Sequence, residues 1–183
     1  MTIQRIQDRL RQEPLRRLKE GYVAKAAVLM SIVERPSGPG FLLTKRSHQV
    51  ATHKGQVSFP GGYQEGRESL QETALRETEE ELGIGPAHVR VLGSFHEYLA
   101  VTDALVRPYV GILQGDWQLS PNPQEVDSVF EVPMDFFRTT EPLVRPYQSS
   151  RGSGRIYSWD FEGRNIWGLT AAIIKDFMEM LSS

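Results

Sequence analysis

The 23 residues from Gly62 to Ile84, G-Y-Q-E-G-R-E-S-L-Q-E-T-A-L-R-E-T-E-E-E-L-G-I, constrain this chain more than any other segment. The pattern predicts a helix over about Ser69 to Leu82, closed by Gly83 in the usual C-terminal position. Leu70, Ala74, Leu75, Thr78 and Leu82 form an apolar stripe that the rest of the fold has to cover. At about 100° per residue, Glu77, Glu80 and Glu81 project within an arc of roughly 100° on the opposite side, while Glu79 points nearly the other way. Like charges three and four residues apart destabilise a helix by about 0.2–0.5 kcal/mol per pair, so such clustering points to a cation between them. Mg²⁺ or Mn²⁺ suits an oxygen-rich face of this kind, keeping waters and taking further ligands from a phosphate substrate. A solvated acidic helix face is the competing reading of an isolated acidic run.

The same residues match the Nudix box, G-x5-E-x7-R-E-U-x-E-E-x-G-U with U aliphatic, at Gly62, Glu68, Arg76, Glu77, Glu80, Glu81, Gly83 and Ile84. The chain therefore resembles Nudix hydrolases. The resemblance implies an α/β fold, an α/β/α sandwich around a mixed sheet, and metal-dependent cleavage of a diphosphate bond. One position departs from the pattern: Thr78 stands where an aliphatic residue is usual. Its methyl is expected to pack in the stripe, with the hydroxyl bonded back along the helix.

Pyrophosphate hydrolysis needs charge neutralisation on phosphate oxygens, an oriented water and a base. Glu77, Glu80 and Glu81 are assigned as metal ligands, and one of them is also a candidate base acting through a bound water. The resemblance marks Glu77 and Glu81 as the central pair. Arg76 cannot ligate a cation, so it is expected to fix the loop or orient a carboxylate, with Glu68 or Glu72 as its partner. Gly61 and Gly62 are expected to let the backbone approach metal or diphosphate closely. Glu125, reaching the site from another element, is a further candidate ligand or base.

Upstream stands L-L-T-K-R-S-H-Q-V-A-T-H-K-G-Q-V-S-F-P-G-G, Leu42 to Gly62. This is similar to the extended motif of the coenzyme A pyrophosphatase branch, L-L-T-x-R-[SA]-x3-R-x3-G-x3-F-P-G-G, with Ala51 in place of the second arginine. I-W-G-L-T-A at Ile166 to Ala171 also resembles this branch. The implied substrate is a small-molecule nucleotide diphosphate of the coenzyme A class, whose extra phosphate calls for cations beyond the metal. Arg46, His53 and Lys54 are the substrate-binding candidates, and His53 or Lys54 could substitute for the arginine missing at Ala51. Strand alternation puts Lys45 and Arg46 on opposite faces, so at most one of the two faces the ligand. Trp167 reads as an anchor at a helix entry or in the core. ADP-ribose, dinucleotides and nucleoside triphosphates are alternative substrates. A nucleotide sensor without catalysis is a further alternative, one that an intact box argues against.

Composition adds exclusions. The 183 residues suit one domain, with residues 1–20 as a helical extension interrupted near Pro14. Zero cysteines rule out disulfides, thiolate metal sites and cysteine nucleophiles. With 21 basic and 23 acidic residues the net charge is −2, which leaves no electrostatic footprint for nucleic acid. No run approaches a membrane span, so a soluble, cytoplasmic protein is expected. Homo-oligomerisation stays open. Strands are expected at Ala24 to Val33 and in the following F-L-L-T-K, joined as a hairpin, then at Val89 to Tyr98, Leu105 to Leu113, Glu125 to Val132 and Arg155 to Phe161. A final helix, Thr170 to Leu181, should bury Ile173, Ile174, Phe177 and Leu181.

Overall fold

The computed structural model describes residues 2–47, 55–149 and 152–183. The run A-K-A-A-V-L-M-S-I-V-E-R forms β1 (Ala24–Arg35), and the turn after it returns the chain as β2 (Gly38–Arg46), antiparallel to β1. Two short strands follow, β3 (Val57–Ser58) on β2 and β4 (Gly61–Tyr63) on β1. After helix α2 (Leu70–Leu82) come β5 (Val89–Ser94), β6 (Tyr98–Leu99) and β7 (Ala104–Leu113). β7 runs parallel to β1 along its length, and β8 (Val126–Pro133) completes the sheet against β2. The sheet is mixed because only the β1–β7 pairing is parallel.

Alternation along β1 divides the interior. Met30 and Ile32 join Phe41, Phe95 and Phe177 on one face, whereas Ala27 and Leu29 meet Leu70 and Ala74 of α2 on the other. Val33 continues that second face against Leu82 and Ile84. The first face is covered by α1 (Ile3–Gln12) and α4 (Gly168–Ser182), with Phe177 edge-on to Phe41 and Phe95. This is the expected α/β/α sandwich. Ile173, Ile174, Phe177 and Leu181 are all buried.

The N-terminal segment departs from its expected course. α1 stops at Gln12, because Glu13 precedes Pro14 and is extended at ψ 122. Arg5 and Arg9 of α1 donate to the carbonyls of Leu181 and Met180, capping α4. The expected strand from Val89 to Tyr98 is divided, β5 ending at Ser94 and β6 beginning at Tyr98, and further elements appear beyond the predicted set, β3 and β4 among them. Helix α3 (Met134–Thr139) and strands β9 (Leu143–Ser149) and β11 (Arg164–Trp167) join β10 (Gly152–Phe161), and the three strands make a second antiparallel sheet in the order β11–β10–β9.

Candidate active site

The acidic helix is set by its ends. Ser69 and Glu72 form a reciprocal capping box at the start, and Gly83 closes the helix at φ 73. Glu72 is thereby committed to the cap. Arg76 takes Glu68 instead, donating from Nε at 3.1 Å and Nη2 at 3.0 Å, while Nη2 also reaches the Tyr63 carbonyl at 3.0 Å. Thr73 and the Glu65 backbone N–H donate to the same Glu68 carboxylate. The Arg76 hydrogen bonds, the largest cause, hold Glu68 down at about 2. Arg76 Nη1 then donates to Glu77 at 2.9 Å and Glu80 at 2.8 Å, so one guanidinium ties the loop 63–68 to two carboxylates of the helix.

The three carboxylates lie at very different depths. Glu80 is half exposed at 53 %, Glu77 is mostly covered at 14 %, and Glu81 is sealed at 3 %. The stripe is not opposite the acidic face, as the spacing first suggests. Glu81 stands seven residues after Ala74 and eleven after Leu70, nearly in phase with both, so it is drawn under the sheet with them. Burial pushes its carboxyl up to about 8, with Glu77 and Glu125 adding to the effect and Arg46 and the Gly61 N–H opposing it. Glu77 is also raised, chiefly by burial.

Arg46, at the end of β2, places Nη1 3.4 Å from Glu81 Oε1. Its neighbour Lys45 pairs with Asp127. Glu125 lies close enough to raise both buried carboxyls and accepts a bond from Asn122 Nδ2 at 3.1 Å. The Asn122 N–H also donates to the Glu81 carbonyl at 2.9 Å, a brace the loop composition did not signal. His53, Lys54 and Ala51 lie outside the described residues.

The two glycines serve different neighbours. A Cβ on Gly62 would sit 2.5 Å from the Glu77 carboxyl, so the missing side chain makes room for that group. Gly61, at φ 156, would meet the Ala27 carbonyl at 2.3 Å; its absent side chain lets β4 close on β1. Trp167 is no core anchor: it precedes α4 at the helix entry but is 42 % exposed. Thr78 behaves as expected, fully buried with its hydroxyl donating to the Ala74 carbonyl at 2.7 Å.

Among the described residues, no three acidic or imidazole side chains gather around one point as a ready metal cage. Arg76 occupies Glu77 and Glu80, and Glu81 turns inward. The donor set still fits a hard divalent cation. Glu81 Oε2 is buried with no hydrogen-bond partner, and Glu77 is cradled beside it by Gly62. Two carboxylates are what Mg²⁺-type ions ordinarily take from a protein, the remaining ligands being waters and phosphates.

The site thus sets a buried Glu81 and a mostly covered Glu77 on a helix laid across a mixed sheet, with an arginine of the same helix bonded to Glu77. The sequence matches the NUDIX domain over residues 24–151, and the chain belongs to the Nudix hydrolase family. It is 39 % identical over 161 residues to the uncharacterized Nudix hydrolase NudL of Pectobacterium atrosepticum, covering 86 % of this chain and 83 % of that protein. NudL of Escherichia coli O7:K1 is 41 % identical over 157 residues, covering 83 % and 80 %. Among solved structures, a MutT/nudix family protein from Enterococcus faecalis aligns with a TM-score of 0.56 at 15 % identity, covering 100 % of this chain and 71 % of that one. A C. elegans Ap4A hydrolase aligns at 0.54 and 18 % identity, covering 61 % and 81 %. At such identities the structural likeness speaks for the fold. Divalent cations are the general cofactors of this family. No helix among the described residues is long and apolar enough to cross a membrane.

Proposed function

We propose that this Nudix hydrolase cleaves the diphosphate bond of coenzyme A or its thioesters, giving 3′,5′-ADP and phosphopantetheine or its acyl derivative. Mg²⁺ or Mn²⁺ would be the cofactor, and Glu77, Glu81 and the more exposed Glu80 are the residues that would hold it. When bound, the cation supplies positive charge on the phosphate oxygens and a water of lowered pKa. Arg76 fixes Glu77 and Glu80, and Glu68 in turn fixes Arg76. The observation that carries the substrate reading is Arg46: the residue of the L-L-T-x-R segment reaches Glu81, 35 positions away, so this segment and the acidic helix border one site.

A substrate panel with Mg²⁺ and Mn²⁺, products identified by mass, tests the assignment. Coenzyme A and its 3′-dephospho form differ by one phosphate, which a Lys or Arg contact recognises with a charge-assisted bond of about 1.5–3 kcal/mol. That corresponds to about ten- to a hundredfold in kcat/KM. A preference of that size for coenzyme A is expected, reduced in Lys54→Ala while turnover of the dephospho form changes little. Equal turnover of both forms removes the case for 3′-phosphate recognition. Faster turnover of ADP-ribose than of coenzyme A would leave the diphosphatase chemistry but not the substrate.

A further inference from the structure

Arg46 and Glu81 make a pair whose two ends are both unfinished. Charge-assisted N–H···O bonds are ordinarily about 2.7–2.9 Å, and an arginine offers five donors in a fixed fork. Here one donor is used, at 3.4 Å. Among the described residues, the buried side-chain polar atoms left without any hydrogen bond are Arg46 Nε and Glu81 Oε2, one from each member of this same pair. Poor backbone anchoring is not the cause. The Arg46 N–H donates to the Gln56 carbonyl at 2.9 Å, its carbonyl accepts from Gly55 at 3.1 Å, and the next residue, Ser47, donates to the Glu125 carbonyl at 2.8 Å.

A guanidinium on a fixed backbone and a buried carboxyl that touch without satisfying each other are each shaped for another partner. The carboxylate suits a metal ion, and the guanidinium suits a phosphate oxygen. We propose that Arg46 is the resident partner of the Glu81 carboxyl and exchanges partners during loading. It stays on the Glu81 carboxyl while no metal is there and passes to a substrate phosphate when the divalent cation arrives. A metal ion at Glu81 and an unpaired guanidinium beside the same carboxyl would repel, and the diphosphate would remove the repulsion by accepting from Arg46. Cation and diphosphate therefore bind synergistically, each raising affinity for the other by the same factor. Arg46 acts as a positioning residue for the cation as well as a contact for the phosphate. This rests on the metal-assisted diphosphatase reading above, but not on coenzyme A as the substrate.

The test is Mn²⁺ binding, followed by the electron paramagnetic resonance of the free ion, with and without α,β-methylene-ADP as a non-hydrolysable diphosphate. In the wild type the analogue should tighten Mn²⁺ binding by about tenfold, within the usual range for coupled sites. Arg46→Met should bind Mn²⁺ alone more tightly than the wild type, by about the same factor, and lose most of the coupling. Arg46→Gln, polar and neutral, gives the same readout should the apolar side chain disturb folding. Arg46→Lys, which keeps the charge, should retain the wild-type pattern. Equal coupling in wild type and neutral variants, or weaker Mn²⁺ binding by the neutral variants alone, overturns the exchange and leaves the diphosphatase reading intact. A wild type that takes up no Mn²⁺ even with the analogue overturns both.

Discussion

Glu81→Gln and Glu77→Gln keep side-chain shape and remove one ligand charge each. Both are expected to lower kcat by about 10²-fold or more, the scale seen when a charge-stabilising group is lost, with the fold retained. Glu79, on the exposed side of the helix, is the control; a Glu79→Gln enzyme as slow as Glu81→Gln would mean that the wrong helix face has been placed in the site. Glu68 gives a pH signature. Its carboxyl is held at about 2, against an ordinary 4.5, first by the Arg76 hydrogen bonds. A depressed pKa contributes stability that is complete above the ordinary value and is lost as pH falls through the folded one. The stability difference between wild type and Glu68→Gln in urea titrations should thus be largest above about pH 4.5 and shrink toward zero near pH 2. A difference independent of pH would remove the charge from the account. That Glu77, Glu80 and Glu81 cluster on the helix was legible from spacing, and the pairing of Arg76 with Glu68 came from the resemblance to the Nudix box. Their depths were not, because Glu81 falls in phase with Ala74 and Leu70, and which side of a helix meets a sheet is settled only by packing.

At the scale of elements, the link from β3 through β4 into α2 carries two adjacent glycines with separable consequences. Gly62→Ala would press a methyl into the Glu77 carboxylate, whose side chain can move, so activity should fall by at least about tenfold with a small change in melting temperature. Gly61→Ala would meet the backbone of Ala27 and Val28, which cannot move without opening the β1–β4 pairing, and should cost about 1–3 kcal/mol of stability. Steady-state kinetics and thermal melts on the two variants check this; a Gly61→Ala protein melting with the wild type would contradict the packing. Elements with local punctuation were readable from sequence: α2 between Ser69 and Gly83, and the β1–β2 hairpin with its glycine turn. α3 is six residues long, begins at Pro133 without a side-chain cap, and offers too few positions for a helical period. β9 carries Pro146 mid-strand, which masks its pattern and suits its place at the edge of the second sheet.

On the scale of the whole molecule, the contacts that build the site join distant parts of the chain. Arg46 meets Glu81, and Thr170 at the start of α4 donates to the Val57 carbonyl in β3, 113 residues away, holding the strand that leads into the glycine pair. Sequence periodicity cannot report such pairings, since each residue signals only its own element. The acidic helix α2 covers one face of the sheet, and α1 with α4 covers the other, so metal loading should stabilise the fold without being required for it. A ligand that binds only the native state at a hundred times its Kd adds about 2.7 kcal/mol. For a chain of this size that is about 5–10 °C in Tm. Calorimetric scans of the wild type in chelator and in saturating Mn²⁺ should differ by that much, and the combined Glu77→Gln, Glu81→Gln variant should keep less than about a fifth of the increment. An unchanged wild-type midpoint, or an equal increment in the double variant, would place the cation somewhere other than Glu77 and Glu81.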